Sequence, residues 1–294
     1  MAASGIIVVN KPAGITSRRV TDQVSRLFRE KKAGHLGTLD PLASGVLPVA
    51  LGSATRLIRF LEGGDKVYEA VVRLGTATDT YDAEGRVVSE GEWRGLDPAA
   101  VTAAVSTFQG EGYQLPPMHS AIKKDGRRLY DLARQGLEVE RAPRRVAVFS
   151  VITVAIAPPD VMVRVRCGPG TYIRSIAHDL GLKLGCGAHL ASLVRSASGP
   201  FTIGEAVDLD TLTPETAALH LIPLDQCLPH FPAVEISTDQ AALIRDGVAI
   251  PAPEGLPAAP GQMFRLIHNG ALAAVAIAAN RGYPLVLRPL RVFL

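Results

Sequence analysis

The residues with the clearest chemical potential lie in one short stretch, Gly34-His35-Leu36-Gly37-Thr38-Leu39-Asp40-Pro41-Leu42-Ala43-Ser44-Gly45-Val46-Leu47-Pro48. Glycines and prolines bracket one carboxylate, Asp40, and allow backbone to approach a ligand closely. By residue type alone, Asp40 before Pro41 is a turn or N-cap residue, because Asp-Pro commonly starts turns. Metal chemistry has little support. The seven histidines are scattered and no His, Asp or Glu cluster has ligand spacing, which argues against a metal-dependent hydrolase. The three cysteines, Cys167, Cys186 and Cys227, form no CxxC pair, so neither a zinc site nor a disulfide framework is expected, and a reducing cytoplasm fits best.

These residues need a scaffold, and hydrophobic periodicity outlines it. Ile6–Val9 reads as a short buried strand stopped by Lys11-Pro12-Ala13-Gly14. Ser17 suits an N-cap for a helix carrying Val20, Val24, Leu27 and Phe28. Residues 33–56 are rich in Gly, Pro, Ser and Thr and read as a long loop. Val67–Leu74 alternates as a strand, with Tyr68, Ala70, Val72 and Leu74 on one face. Asp97-Pro98 starts a helix that buries Val101, Val105 and Phe108. Strands are expected near Val146–Ala157 and Val161–Cys167. A helix from about Thr171 buries Ile173, Ile176, Ala177, Leu180 and Leu184, leaving Arg174 and Asp179 off its apolar stripe. A linker crosses roughly 205–232. Beyond it, Ser237 and Gln240 suggest a capping box, Asn269-Gly270 marks a hairpin between Met263–Ile267 and Ala271–Ala278, and Pro284–Leu294 reads as strand.

With 47 % hydrophobic and 20 % charged residues the 294-residue chain can bury a real core, and one large unit plus a small one is the natural division. Its start, MAASGIIVVNKPAG, lacks the pattern of a signal peptide, and ALAAVAIAAN is shorter than the ~20 residues a membrane span needs. A soluble protein is expected. Its net charge of +3 is unevenly spread. Residues 1–40 carry seven basic and three acidic residues, and residues 117–145 carry eight and four, so each segment is +4 and the rest is −5. Basic charge gathered in two segments suits a polyanionic partner, although solvated surface explains such runs equally well.

The stretch GHLGTLDPLASGVLPVALGSATRL resembles the catalytic motif of the TruB-type pseudouridine synthases, which modify uridine 55 in the T-loop of tRNA. Further resemblances run collinearly: Asn10-Lys11-Pro12, Lys66-Val67-Tyr68, Arg73-Leu74-Gly75 with Thr78-Asp79-Thr80, Pro116-Pro117-Met118-His119-Ser120-Ala121, and Gly170-Thr171-Tyr172-Ile173-Arg174. Together they span most of residues 5–205. The resemblance implies an α+β fold, with a mixed, largely antiparallel sheet flanked by helices and loops. It implies a catalytic domain over 1–230, a thumb-like RNA-binding insertion at 117–145, and a small, mainly β, PUA-like RNA-binding domain over 231–294.

For the site, the resemblance implies Asp40 as nucleophile, Arg174 as its cationic partner in a bidentate pair, and Tyr68 as the residue stacking on the target base or removing the C5 proton. It places His35 beside a flipped-out nucleotide and Tyr172 and Leu193 around the uracil pocket. Lys11 either holds the N-terminal loop or touches RNA. Without the resemblance, Arg174 is an exposed helix arginine, Tyr68 a core tyrosine, His35 a solvated loop histidine and Leu193 a core leucine. Isomerising uridine needs no redox change or group donor, and neither a cofactor nor a metal is expected. The implied partner is the tRNA T-stem-loop, met by a cytoplasmic monomer with no membrane association and no obligate protein partner. Two alternatives remain: a guide-RNA-dependent synthase of the same family, and a non-catalytic tRNA-binding or folding protein.

Overall fold

The computed structural model describes residues 3–120, 122–124, 126–133, 135–137, 139–280 and 285–294. Ala121 and Pro284, named above, lie outside the described residues, as do Asp125, Arg134 and Glu138 of the basic 117–145 segment and the side chains of Lys123, Lys124 and Arg128.

Among the described residues, the first 198 supply seven strands of five residues or more and three helices of nine residues or more. In chain order these are β1 (Gly5–Lys11), α1 (Ser17–Leu27), β2 (Ser44–Leu51), β3 (Lys66–Leu74), α2 (Pro98–Ser106), β4 (Gly110–Gln114), β5 (Arg144–Ala157), β6 (Asp160–Cys167), α3 (Ile173–Leu184) and β7 (Ala188–Ser198). The strands lie in the order β1-β2-β7-β3-β6-β5-β4. Every neighbouring pair is antiparallel except β2 and β7, which meet in parallel over Ser44–Gly45 and Val194–Arg195. The fold is α+β, as expected. One face of the sheet buries Val20 and Val24 of α1, Val101 and Val105 of α2, and Ile173, Ile176, Ala177 and Leu180 of α3.

Three local expectations are corrected. Residues 33–56 are not one loop, because Ala33–His35 and Ser44–Leu51 pair as strands and Gly52–Leu57 is a 3-10 turn. Gly45 and Pro48 suggested a loop, yet both fit the sheet. Gly45 has φ +101°, and a Cβ there would lie 2.3 Å from the Arg195 carbonyl oxygen, so the parallel crossing with β7 admits no side chain. Pro48 needs no N–H to offer its carbonyl to Leu36 N–H at 2.9 Å. The N-cap of α1 is Thr16, whose side chain accepts from Arg19 N–H, while Ser17 is the first helical residue. The stretch read as a linker also joins the sheet: Val207–Asp208 pairs in parallel with Val9–Asn10, and Leu221–Pro223 pairs antiparallel with Gly5–Ile7.

The remaining chain forms a second sheet and one short helix: β8 (Ala233–Glu235), α4 (Thr238–Arg245), β9 (Met263–His268), β10 (Ala271–Ala279) and β11 (Val286–Val292), with Ile250–Pro251 beyond β11. Ser237 and Gln240 form the capping box of α4. Asn269 and Gly270 both have positive φ in the β9–β10 hairpin, as a two-residue turn with right-handed strand twist requires. This unit rests on the opposite face of the first sheet, where Ile267, Leu272 and Val275 share a core with Ile6, Val8, Val46 and Ala50. The insertion after β4 carries a short hairpin, Lys123–Lys124 with Arg127–Arg128, the helix Leu129–Ala133, and a small core of its own around Met118, Leu129 and Leu132. No described helix is long and apolar enough to cross a membrane.

Candidate active site

Asp40 stands in the loop between Ala33–His35 and β2, and that loop is fastened from several sides. Ser17 Oγ accepts from Leu39 N–H at 2.8 Å and donates to the Leu39 carbonyl at 2.9 Å. The Pro41 carbonyl accepts from Gly14 N–H at 2.8 Å, and Asp40's own carbonyl accepts from Ala43 N–H at 3.1 Å. Lys11, fully buried at the end of β1, donates to the carbonyls of Ile15 (2.7 Å), Pro12 (2.9 Å) and Pro41 (3.3 Å). Of its two expected roles, loop-holding matches these contacts. An ammonium already spent on three carbonyls has no exposed surface for a phosphate.

Arg195 fixes the far side of the loop. It is one of the largest fully buried side chains, and it donates through Nε to the Val46 carbonyl at 2.8 Å and through Nη2 to the Gly37 carbonyl at 3.0 Å. Its remaining reach is toward the Tyr68 hydroxyl on the neighbouring strand β3, where the two side chains interact directly. Burial raises the Tyr68 pKa, and the Arg195 charge partly opposes that rise.

Arg174 comes from the first turn of α3. Periodicity placed it off the buried stripe, but only 4 % of its side chain is exposed. Its guanidinium lies between two carboxylates: Nε is 2.9 Å from Asp40 Oδ2, and Nη1 is 3.4 Å from Asp82 Oδ2. The same Nη1 donates to the Thr80 carbonyl at 3.2 Å, and Nη2 donates to the His119 carbonyl at 2.9 Å. Among the described residues, neither terminal nitrogen donates to Asp40, so the expected bidentate pair is not formed and the contact runs through Nε alone. One cation instead gathers Asp40, the 78–85 turn and the Pro116–Ser120 segment.

Asp82 is buried, with 5 % of its side chain exposed, whereas Asp40 keeps 37 % exposed. Protein on its other sides removes enough water to raise the Asp40 pKa above the usual carboxylate value. Asp82 adds to that rise, while Arg174 and Lys11 oppose it. Burial likewise lowers Lys11 to about 8, against the opposing pull of Asp40 and Glu84.

Tyr172 is the N-cap residue of α3, and its backbone is clamped by Gln114, which accepts from Tyr172 N–H at 2.9 Å and donates to its carbonyl at 3.2 Å. Burial raises its hydroxyl pKa, opposed first by the neighbouring Ser120 side chain and then by the Arg174 charge. Leu193 is buried on β7 opposite Ala70, in the core that also holds Leu39 and packs against Tyr68. His35 is half-buried, with its pKa lowered first by burial and then by Arg195 and Arg18. Asp40, Arg174, Tyr68 and Tyr172 thus sit within electrostatic reach of one another. Asp82 and Arg195 were not foreseen. Asp82 stood three residues past Asp79 in a polar turn, and Arg195 in an alternating strand pattern, so neither had a signal beyond its charge.

A guanidinium-held carboxylate beside a tyrosine can attack an electron-poor carbon while the phenol handles a proton. Among the described residues, no three His, Cys, Asp or Glu side chains gather as metal ligands. The model of the TruB family pseudouridylate synthase N-terminal domain matches residues 25–173, just over half the chain. This chain belongs to that family. The tRNA pseudouridylate synthase B C-terminal domain matches residues 174–228. Among the family's curated members, tRNA pseudouridine synthase B of Geobacter sulfurreducens is 45 % identical over 283 residues, 92 % of each chain. The protein of the same name from Dehalococcoides mccartyi strain ATCC BAA-2266 is 42 % identical over 293 residues, covering 97 % of this chain and 92 % of its own. Among solved structures, a Cbf5-Nop10-Gar1 complex aligns with TM-score 0.73 and 28 % identity, over 99 % of this chain and 85 % of the other. An H/ACA RNP bound to a substrate RNA containing 2′-deoxyuridine aligns equally well at 26 % identity, with the same coverage. The family assignment makes this chain a pseudouridine synthase.

Proposed function

We propose that this chain isomerises uridine 55 in the T-loop of tRNA to pseudouridine, with Asp40 as the nucleophile. The observation that carries the reading is the 2.9 Å contact between Asp40, in a loop near the start of the chain, and Arg174, in a helix 134 residues later. Binding alone does not require a buried guanidinium in ion-pair contact with a half-open carboxylate. In the reaction the N1–C1′ bond breaks, the base rotates, and a C5–C1′ bond forms. The C5 proton leaves and N1 gains one, so atoms balance with no donor or oxidant. Asp40 adds to either C6 of the base or C1′ of the ribose. Arg174 keeps it ionised against the desolvation that bound RNA imposes. Tyr68 stacks on the base and is placed to take the C5 proton, with Arg195 beside its hydroxyl.

A base inside a folded loop reaches Asp40 only by leaving its stack, at a cost of a few kcal/mol. His35 fills space beside the flipped nucleotide, and Tyr172 and Leu193 line the uracil pocket. Residues 1–230 act as the catalytic domain, the 117–145 insertion as an RNA-gripping thumb, and 231–294 as a PUA-like RNA-binding unit of a monomer needing no protein partner. The thumb's cations imply a steep fall of tRNA affinity with salt, and a flat response would remove that assignment.

The likeness to guide-RNA particles favours a second reading, guide dependence, but their identity is 26–28 % against 42–45 % for the tRNA enzymes. Incubating the protein with unmodified tRNA transcript and mapping pseudouridine tests both. Modification of the T-loop by wild type, absent with Asp40→Ala, supports the proposal. No product without guide RNA and partner proteins supports the alternative.

A further inference from the structure

Asp82 is held against Arg174 by a turn whose backbone is strained at its neighbour. Tyr81 has φ +66°, in the left-handed region that non-glycine residues seldom adopt. Its ring stacks on His178, with centroids 3.8 Å apart and planes 12° from parallel. His178 lies on α3 four residues after Arg174, so both side chains emerge from the same helix face. Arg174 reaches Asp82 and the Thr80 carbonyl, while His178 holds the residue between them.

From these contacts we infer that Tyr81 and His178 are positioning residues, whose stacked rings keep the 78–85 turn on α3 and so hold Asp82 on Arg174. The inference deepens the proposed function and rests on it for its catalytic consequence. Other bonds organise the turn internally: Thr80 Oγ1 donates to Asp82 Oδ1 at 2.6 Å, Thr78 Oγ1 to the Asp82 carbonyl at 2.7 Å, and Glu84 N–H to Asp82 Oδ1 at 3.1 Å. Leu190 N–H donates to the Tyr81 carbonyl at 2.9 Å, and the Leu190 carbonyl accepts from Ala83 N–H at 2.9 Å, tying the turn to β7. Besides the Arg174 contacts, the ring pair joins the turn to α3. His178 Nδ1 is buried without a hydrogen-bond partner, so packing rather than polar bonding holds the imidazole. Burial lowers its pKa, which favours the neutral ring, and Asp179 is the charge that opposes this.

The consequence is electrostatic. The groups acting on Asp40 are Arg174 from α3, Lys11 from β1, and Asp82 of the turn, while Glu84 of the same turn, Tyr68 of β3 and Tyr172 at the N-cap of α3 feel its charge in return. Asp82 shares the Arg174 charge and raises the Asp40 pKa. If the turn comes loose, Arg174 is left to Asp40 alone, whose pKa then falls.

Tyr81→Asn tests this, since asparagine accepts the left-handed backbone without the ring. Two readouts are used: NMR titration of the Asp40 carboxyl carbon, which needs no activity, and turnover on tRNA transcript. The expected result is a lower Asp40 pKa, turnover reduced roughly ten- to hundredfold because Arg174, released from Asp82, no longer holds Asp40 in the geometry the turn sets, and unchanged KM. Tyr81→Phe and His178→Phe preserve the stack and restore the wild-type Asp40 titration. An unmoved Asp40 titration in Tyr81→Asn overturns the inference, whatever happens to turnover. So does a Tyr81→Phe protein as shifted as Tyr81→Asn, because the hydroxyl would then be the active feature. If wild type makes no pseudouridine yet Tyr81→Asn shifts the titration, the functional proposal fails and the positioning role stands.

Discussion

The two larger sheets of this protein bury different kinds of residue. All buried polar or charged side chains among the described residues, including Lys11, Lys66, Asp82, Arg174 and Arg195, lie at or before Ser198. The second unit fills its core with Val234, Ile244, Phe264, Leu266, Leu287 and a run of alanines on β10. Buried charge is costly unless closely paired, and a domain that needs only stability has no use for it. The first unit carries that cost where β2, β3, β7 and α3 converge on Asp40. Its charges there set geometry and protonation rather than contributing cohesion.

The comparison breaks most sharply at Arg174. Arg174→Gln strands Asp82 without its cation, and loss of one partner from a buried pair costs about 3–5 kcal/mol, readable by urea unfolding. Because Arg174 also opposes the rise in the Asp40 pKa, the acid limb of turnover moves to higher pH. Arg174→Lys keeps the fold and the charge but loses the multi-armed contact, so turnover falls sharply. Near-wild-type turnover would dismiss the role. In the second unit, Leu287→Ala costs about 2–5 kcal/mol as a cavity, yet leaves kcat per folded molecule and its acid limb unchanged.

Lys11 gives a pH signature confined to the first unit. Its folded-state pKa, about 8, lies below the ordinary 10.5, so the unfolded chain binds the proton more tightly. Stability from this group therefore rises between roughly pH 8 and 10.5, and Lys11→Met should flatten that slope in pH-dependent unfolding. The smallest effect belongs to the surface: Arg73→Ala removes a half-exposed pair with Asp160, and under about 1 kcal/mol of stability should go with it.

The apolar architecture was legible because it repeats. Strand alternation around Tyr68, the Asp97 cap with Pro98 behind it, and the Asn269-Gly270 hairpin all carry local signals that tertiary packing does not override. The site was legible only through motif. Arg174 lies off its helix's apolar stripe by periodicity, but its burial depends on partners 94 and 134 residues away in sequence. Arg195 is hidden for the same reason, since hydropathy assigns a strand arginine to solvent and cannot foresee backbone carbonyls waiting at Gly37 and Val46. The strand Ser44–Leu51 was masked by the residues that permit it, Gly45 at the parallel crossing and Pro48 at a position where only its carbonyl is used.

The most direct test of the account is Asp40→Asn, which preserves shape and removes only the ionisable oxygen. Under single-turnover conditions with unmodified tRNA transcript, this protein should bind tRNA and unfold like wild type while forming no pseudouridine above background. Formation of pseudouridine by Asp40→Asn at a rate near wild type would contradict the assignment of the nucleophile.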